Sequence, residues 1–174
     1  MRNQTRAERY ASKASIANKL PFSFCATYFQ VDGNIAYLSR ALACFGGETV
    51  YLIGKQPNMS EIQRLSGGHS KLVEFVRFPN PMDFVYHATD KGYKIVVAEI
   101  AEGAKNVHTY SWDYDVHTII VVGNEMEGVP TDILANAHDM VYIPMNGQGF
   151  CLNTSQTANV LAYDYAAKKA LKNG

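Results

Sequence analysis

The sequence predicts an α/β domain: a mostly parallel sheet with helices on both faces. Segments of helical and of extended character alternate along the chain, which is the pattern of such folds. Several extended segments are continuous apolar runs, as expected for strands that are buried on both faces. With 174 residues, 47% hydrophobic and 18% charged, the chain can form one domain with a core.

The elements follow from local patterns. Residues 1–20 are basic and rich in Ala and Ser, and we expect an N-terminal arm there, followed by a domain over residues 21–174. Strands are expected at the aromatic and β-branched runs Phe22–Phe29, Thr49–Ile53, Leu72–Phe78, Lys94–Ala98, Thr118–Val122 and Val141–Pro144. Helices are expected at Ile35–Phe45, Ser60–Leu65, Pro81–Lys91, Thr131–Ala137 and Asn153–Lys172. Asn34 and Ser60 are the predicted N-caps, and residues 99–116 are expected to be irregular.

Several classes of protein are disfavoured. No apolar run reaches the roughly 18 residues of a membrane span, and the N-terminus has no signal-peptide core, so we expect a cytoplasmic protein without a membrane partner. Cys25, Cys44 and Cys151 are widely spaced and form no CxxC pair, which argues against a disulfide framework and a zinc site. The histidines show no metal-binding spacing, and we expect no metal.

Charge is distributed unevenly although it sums to zero. Residues 1–82 hold ten basic and five acidic side chains, residues 83–139 hold three and ten, and residues 140–174 hold three and one. Such asymmetry is typical of a surface that faces nucleic acid, but random patchiness explains it equally well.

Ligands of open α/β sheets bind beyond the carboxyl ends of strands, so the loops there are the candidate sites. In the first, Arg40 lies in the second turn of an otherwise apolar helix, where it would bind a phosphate or pair with Glu48 or another acid. In the second, Gly123 and Gly128 permit close approach of a ligand. Its two glutamates suit a cationic or neutral polar ligand, or else mark the start of a capped helix.

The third loop runs from Ile143 to Ser155. Asn153 and Ser155 stand at the start of the last helix, as site residues or as simple N-capping residues. Cys151 could be a nucleophile, but without a recognisable histidine partner we favour a buried, inert thiol.

Together the three loops resemble the motifs of a known family. The stretch NIAYLSRALACFG at 34–46, the stretch VVGNEMEGV at 121–129, and IPM at 143–145 followed by CLNTS at 151–155 are similar in order and spacing to the three motifs of the SpoU (TrmH) branch of SPOUT RNA methyltransferases. The resemblance runs from about residue 22 to the C-terminus. Ala36, Ala41 and Cys151 depart from the usual glycine, threonine and serine.

The resemblance implies a fold whose C-terminal segment forms a trefoil knot, a homodimer, and 2′-O-methylation of a ribose in tRNA or rRNA with S-adenosylmethionine as cofactor. By motif position the catalytic residues would be Arg40, Asn34, Glu125, Asn153 and Ser155. The cofactor would be bound by Ala98, Gly123, Gly128, Ile143, Met145, Cys151 and Leu152. RNA would be bound by Arg2, Arg6, Arg9, Lys13 and Arg40.

Two other functions stay open at this point. One is a knotted RNA-binding protein without catalysis. The other is a nucleotide- or NAD-binding α/β enzyme, against which the absence of a GxGxxG and of a Walker A sequence counts.

Overall fold

The computed structural model describes residues 5–15, 18–149 and 151–172. Its strands are β1 (Phe22–Thr27), β2 (Thr49–Ile53), β3 (Glu74–Phe78), β4 (Lys94–Ala98), β5 (Lys105–Asn106), β6 (Thr118–Val122) and β7 (Asp139–Tyr142). Its helices are α1 (Arg6–Ser15), α2 (Asp32–Cys44), α3 (Met59–Leu65), α4 (Pro81–Asp90), α5 (Thr131–Ala135) and α6 (Thr154–Lys172). A short 3₁₀ turn spans His69–Leu72.

The seven strands form one sheet in the order β3-β2-β1-β6-β4-β7-β5. All pairings between them are parallel, for example Phe22 opposite Thr118 in β1 and β6. The predicted parallel α/β sheet is therefore confirmed. Because the strands are parallel, the carboxyl ends of the neighbours β6, β4 and β7 meet at one edge of the sheet.

Each face of the sheet is covered by its own hydrophobic core, because side chains alternate along each strand. On one face, Phe24, Ile120 and Val96 pack with residues of α2 and α6. On the other face, Cys25 and Val121 pack with residues of α4 and α5. The prediction that helices cover both faces is confirmed.

Element bounds agree best where the sequence is most apolar: β2, β4 and β6 have the predicted limits. Two predicted N-caps are wrong. The cap of α3 is Asn58, whose Oδ1 accepts hydrogen bonds from the backbone N–H groups of Ser60 and Glu61. Asn34 lies inside α2, whose N-cap position is Val31, and its side chain is used elsewhere.

The segment 99–116 is more ordered than predicted. It contains β5, and Val107, Tyr110 and Trp112 are buried in the core beneath α6. The indole Nε1 of Trp112 donates to Asp164 at 2.7 Å. Lys168 pairs with the same carboxylate and donates to the backbone carbonyls of Val107 and Tyr110. These bonds fasten α6 to the segment.

A charged cluster surrounds Asp139 at the start of β7. Its carboxylate pairs with Lys94 at 2.9 Å and with Lys105, and accepts the hydroxyl of Tyr110 at 2.9 Å. Burial by itself would raise the pKa of Asp139, but the hydrogen bonds from the two lysines and the tyrosine outweigh it and lower that pKa to about 2. The cluster lies outside both cavities described below and is a structural feature.

Candidate active site

A cavity of about 380 Å³, cavity 1, opens where β4, β6 and β7 end. Its wall continues onto the loop before α6 and the first turns of that helix. All seven residues predicted to bind the cofactor lie on this wall: Ala98, Gly123, Gly128, Ile143, Met145, Cys151 and Leu152. The structure thus brings these residues together, and their role in binding stays a prediction. Cys151 is exposed, so the expectation of a buried thiol was wrong.

The loop after β6 holds a shape that only glycine permits at its first position. A Cβ on Gly123 would lie 2.6 Å from the carbonyl oxygen of Gly128 and from the backbone nitrogen of Val129. The side-chain Oδ1 of Asn124 accepts hydrogen bonds from the backbone of Met126 at 2.8 Å and of Glu127 at 2.7 Å, which closes the turn. Backbone groups of this loop therefore form part of the cavity wall.

A second, wider cavity of about 720 Å³, cavity 2, lies between α2 and the first turns of α6. Its described lining residues are Asn34, Tyr37, Arg40, Ala41, Cys44, Phe45, Asn153, Ser155, Gln156 and Asn159. Four of the five predicted catalytic residues are among them. The fifth, Glu125, lines cavity 1, and Asn153 lines both cavities.

Glu125 joins the two cavities. Its Oε1 accepts hydrogen bonds from the side-chain amide of Asn34 in α2 and from the hydroxyl of Thr154 in α6, the latter at 3.0 Å. Both donors are more than nine-tenths buried. This bonding explains why Asn34 does not cap α2: its amide is turned toward a carboxylate 91 positions along the chain.

Asn153 is the residue that precedes α6, and it caps the helix. Its Oδ1 accepts from the backbone N–H of Ser155 at 2.9 Å and from the Ser155 hydroxyl at 2.7 Å. The side chain of Gln156 accepts from the backbone N–H of Asn153, which completes a capping box. The capping interpretation is thus confirmed for Asn153, whereas Ser155 is a donor to that cap, and Asn153 stands on the wall of both cavities.

Arg40 is exposed at cavity 2. Among the described residues no carboxylate lies within 4 Å of its guanidinium, so the alternative of an ion pair with Glu48 is wrong. The guanidinium reaches toward the turn after α3, where Nη1 would lie 3.8 Å from a Cβ on Gly67. Arg40 is therefore available for an anionic ligand.

The two cavities differ in charge. Cavity 1 carries the carboxylates Glu99 and Glu125, and no Lys, Arg or His is among its described lining residues. The only charged side chain among the described lining residues of cavity 2 is Arg40. The site thus pairs a cavity suited to a cation with one suited to an anion.

The sequence matches the SpoU rRNA Methylase family over residues 22–163. The chain belongs to this family. It is 29% identical, over 64% of its length and 51% of the relative's, to the tRNA (guanosine(18)-2′-O)-methyltransferase of Aquifex aeolicus. The aligned part thus spans about half of that relative.

Solved structures of RNA-modifying enzymes share the fold. One is the TrmH/SpoU tRNA modifying enzyme of A. aeolicus, with a TM-score of 0.77, 22% identity, and coverage of 90% of this chain and 79% of that one. Another is the AdoMet-bound rRNA methyltransferase of Sinorhizobium meliloti, with a TM-score of 0.79, 19% identity, and coverage of 87% and 58%.

The arm residues of this SpoU chain lie apart from the two cavities where they are described. Arg9 and Lys13 are exposed on α1, and neither lines either cavity. Arg2 and the side chain of Arg6 lie outside the described residues. Lys168 on α6 is engaged in the bonds that fasten α6 to the segment 99–116.

Sequence reasoning missed two polar residues of the SpoU site. Thr154 holds Glu125, and Glu99 presents a carboxylate to cavity 1 directly after β4. The signal for Glu99 was present, because a polar residue that follows a buried parallel strand stands at the ligand-binding edge.

Two features are absent from the described part of the SpoU chain. Within residues 5–15, 18–149 and 151–172, no helix is long and apolar enough to cross a membrane. The same ranges contain no group of three His, Cys, Asp or Glu side chains that could hold a metal ion.

Proposed function

We propose that this protein is an S-adenosylmethionine-dependent RNA methyltransferase that methylates a ribose 2′-oxygen in tRNA or rRNA. The observation that carries the proposal is the shared wall of the two cavities: Asn153 lines both, and the Asn34–Glu125 bond joins them. A donor in cavity 1 and an RNA strand in cavity 2 would meet there. Membership of the SpoU family and the 2′-O-methyltransferase name of the A. aeolicus relative support the reaction type.

Cavity 1 fits the cofactor. Its apolar side chains, among them Ile143, Leu152 and Leu161, suit an adenine ring, and the loop after Gly123 offers backbone groups at close range. When bound, S-adenosylmethionine supplies a methyl group on a positively charged sulfur. A carboxylate at Glu125, on the side that faces cavity 2, would attract that positive charge and so favour binding of the donor in this orientation.

Arg40 would act on the RNA. A guanidinium stays protonated in proteins, so it cannot serve as a general base. It can bind the phosphate next to the reacting ribose and stabilise negative charge that develops on the 2′-oxygen as its proton passes to water in this wide cavity. Asn34 and Ser155 line the same cavity, but both side chains are bonded within the protein and would mainly hold its shape.

Asn153 would position the ribose. Its Oδ1 is occupied by the helix cap, whereas no hydrogen bond from its side-chain NH₂ to another described residue is found. That NH₂ group can donate to a ribose or phosphate oxygen at the point where the cavities meet.

The trefoil knot and the division into an arm of residues 1–20 and a domain of residues 21–174 belong to the proposal. Supporting the knot, α6 lies against the segment 99–116 and is bonded to it through Trp112 and Lys168. Supporting the arm, α1 exposes Arg9 and Lys13, which could bind phosphates without selecting a sequence. A cytoplasmic location, where the RNA substrates are, is part of the same proposal.

A homodimer is also proposed. Large apolar or aromatic side chains are exposed on α2 and α6: Tyr37 is 49% exposed, Tyr163 is 62% exposed, and Val160 is 36% exposed. Tyr37 lines cavity 2, and the ring of Tyr163 packs against Phe45 on the wall of that cavity. Exposed apolar groups of this size are common in protein interfaces. A second copy on this face would narrow cavity 2 and could complete the RNA site.

The test is methyl transfer from labelled donor to tRNA and to rRNA, with donor binding measured separately by calorimetry. Arg40→Ala should lower transfer about a hundredfold or more and leave donor binding unchanged. Arg64→Ala is the matched control, because Arg64 is exposed and paired with Glu61 away from both cavities. Absence of donor binding by the unmodified protein would refute the proposal, and donor binding without transfer would favour an inactive RNA-binding protein.

A further inference from the structure

We propose that Glu99 binds the ribose hydroxyls of the adenosyl group of the donor and so selects adenosyl ligands for cavity 1. This inference rests on the proposed function. It concerns the side of the cavity formed by the end of β4, whereas Glu125 lies on the side bonded to α2 and α6.

The Glu99 carboxylate is held in place by its neighbours. Its backbone N–H donates to the carbonyl of Val141 in β7 at 3.0 Å, which fixes the start of the loop. Its Oε1 accepts from the backbone N–H of Ile100 at 3.0 Å. The first bond fixes the backbone, the second holds the carboxylate, and neither uses Oε2.

The loop after β6 leaves room for that carboxylate. Gly128 has a φ of +68°, and a Cβ there would lie 2.9 Å from Oε2 of Glu99. Glycine is thus favoured at 128 both by its backbone conformation and by the carboxylate beside it. No hydrogen bond to Oε2 from another described residue is found, so this oxygen keeps its acceptor capacity.

Oε2 is therefore open to water or to a donor brought by the ligand. No Lys, Arg or His is among the described residues that line cavity 1, and the nearby wall residues Ile100, Val122 and Val141 are apolar. At a partly apolar wall, an ionised carboxylate is stabilised most strongly by charge-assisted hydrogen bonds. Ribose offers two neighbouring hydroxyls, and acidic side chains at strand ends bind them in other α/β folds.

The orientation required for transfer favours ribose over the sulfonium as the group at Glu99. The methyl group has to face Asn153, where the cavities meet, and Glu125 lies on that side. The adenosyl group would extend away from the reacting centre, along the end of β4. Glu99 therefore adds a specificity-determining contact rather than a catalytic one.

The experiment is calorimetric titration with S-adenosylhomocysteine, with 5′-methylthioadenosine, and with the 2′-deoxy and 3′-deoxy forms of the latter. Methylthioadenosine keeps the ribose but lacks the amino acid. Glu99→Gln should weaken binding of both ribose ligands by about tenfold to a hundredfold, the effect of one hydrogen bond to a charged group. Glu102→Gln, at an exposed acid of the same segment, is the control and should change nothing.

The deoxy ligands also test the inference on the unmodified protein, where no substitution can disturb folding. On the unmodified protein, loss of at least one hydroxyl should weaken binding by a similar factor, and on Glu99→Gln the same loss should have little further effect. Equal deoxy penalties in both proteins, or a Glu99→Gln defect confined to S-adenosylhomocysteine, would overturn the inference while leaving the methyltransferase proposal intact. If the unmodified protein binds no adenosyl ligand, the methyltransferase proposal itself fails.

Discussion

The bond between Asn34 and Glu125 can be measured by a double-mutant cycle. Glu125→Ala leaves two buried donors, the Asn34 amide and the Thr154 hydroxyl, without their acceptor. Glu125 is itself exposed and both donors line cavities, so water can partly replace its carboxylate, and we expect Glu125→Ala to lower the free energy of unfolding by about 1–3 kcal/mol. When Asn34 is already Ala, only Thr154 loses its partner. Glu125→Ala should then lower the free energy of unfolding by less than it does in the unmodified protein.

The cycle should therefore give a coupling energy of about 1–2 kcal/mol. The assay is urea unfolding followed by circular dichroism, at one protein concentration for all variants. Glu127→Ala, at an exposed residue of the same loop, is the control and should shift stability by less than about 0.5 kcal/mol. If the Asn34 and Glu125 substitutions are additive to within about 0.5 kcal/mol, the junction between the cavities is not held as described.

Three further predictions concern the scaffold. Because the pKa of Asp139 is lowered to about 2 by bonds that outweigh its burial, its stabilisation is present above about pH 4 and is lost as pH falls toward 2. The lost stabilisation amounts to about 2 kcal/mol. Between about pH 4 and pH 2, the urea midpoint of Asp139→Asn should therefore vary less than that of the unmodified protein, and an equal pH dependence in the two proteins would contradict this. Gly123→Ala should lower the free energy of unfolding by about 1–3 kcal/mol and weaken donor binding in calorimetry. Gly147→Ala should do neither, because a Cβ at Gly147 would have no neighbouring atom within 4 Å. Trp112→Phe should cost about 1.5–3 kcal/mol in thermal unfolding, because Asp164 loses its indole donor; an unchanged midpoint would show that the bond is not formed.

The sheet could be predicted because its central strands carry their own signal. The runs at β2, β4 and β6 are apolar throughout, and burial on both faces requires such composition. The segment 99–116 could not be predicted in the same way. Trp112 and Tyr110 are buried there among exposed polar residues with no helical or strand period, and their burial depends on contacts with α6 more than 40 residues later.

The sequence indicated which motif residues lie close together, but not the hydrogen bonds between them. The motif residues indicated which positions gather at the strand ends, and the structure places them on two adjoining cavities. Asn34 shows what local sequence cannot predict. An asparagine near a helix start usually caps that helix, but here its amide donates to Glu125, which is close in space and distant in the chain. Arg40 is a second example, because the residues beside it on the helix do not reveal whether its guanidinium is buried or open to a cavity.

The strand order has a consequence for how the protein is made. β1 pairs with β2 soon after synthesis, but its other neighbour in the sheet is β6, with Phe22 opposite Thr118. At translation rates of about 5–20 residues per second, one edge of β1 stays without its partner for on the order of 5–20 s. During that interval the nascent half-sheet β1–β2–β3 presents an apolar strand edge, which is a template for wrong pairing. We expect the nascent chain to depend on chaperones over this interval more than its modest length suggests.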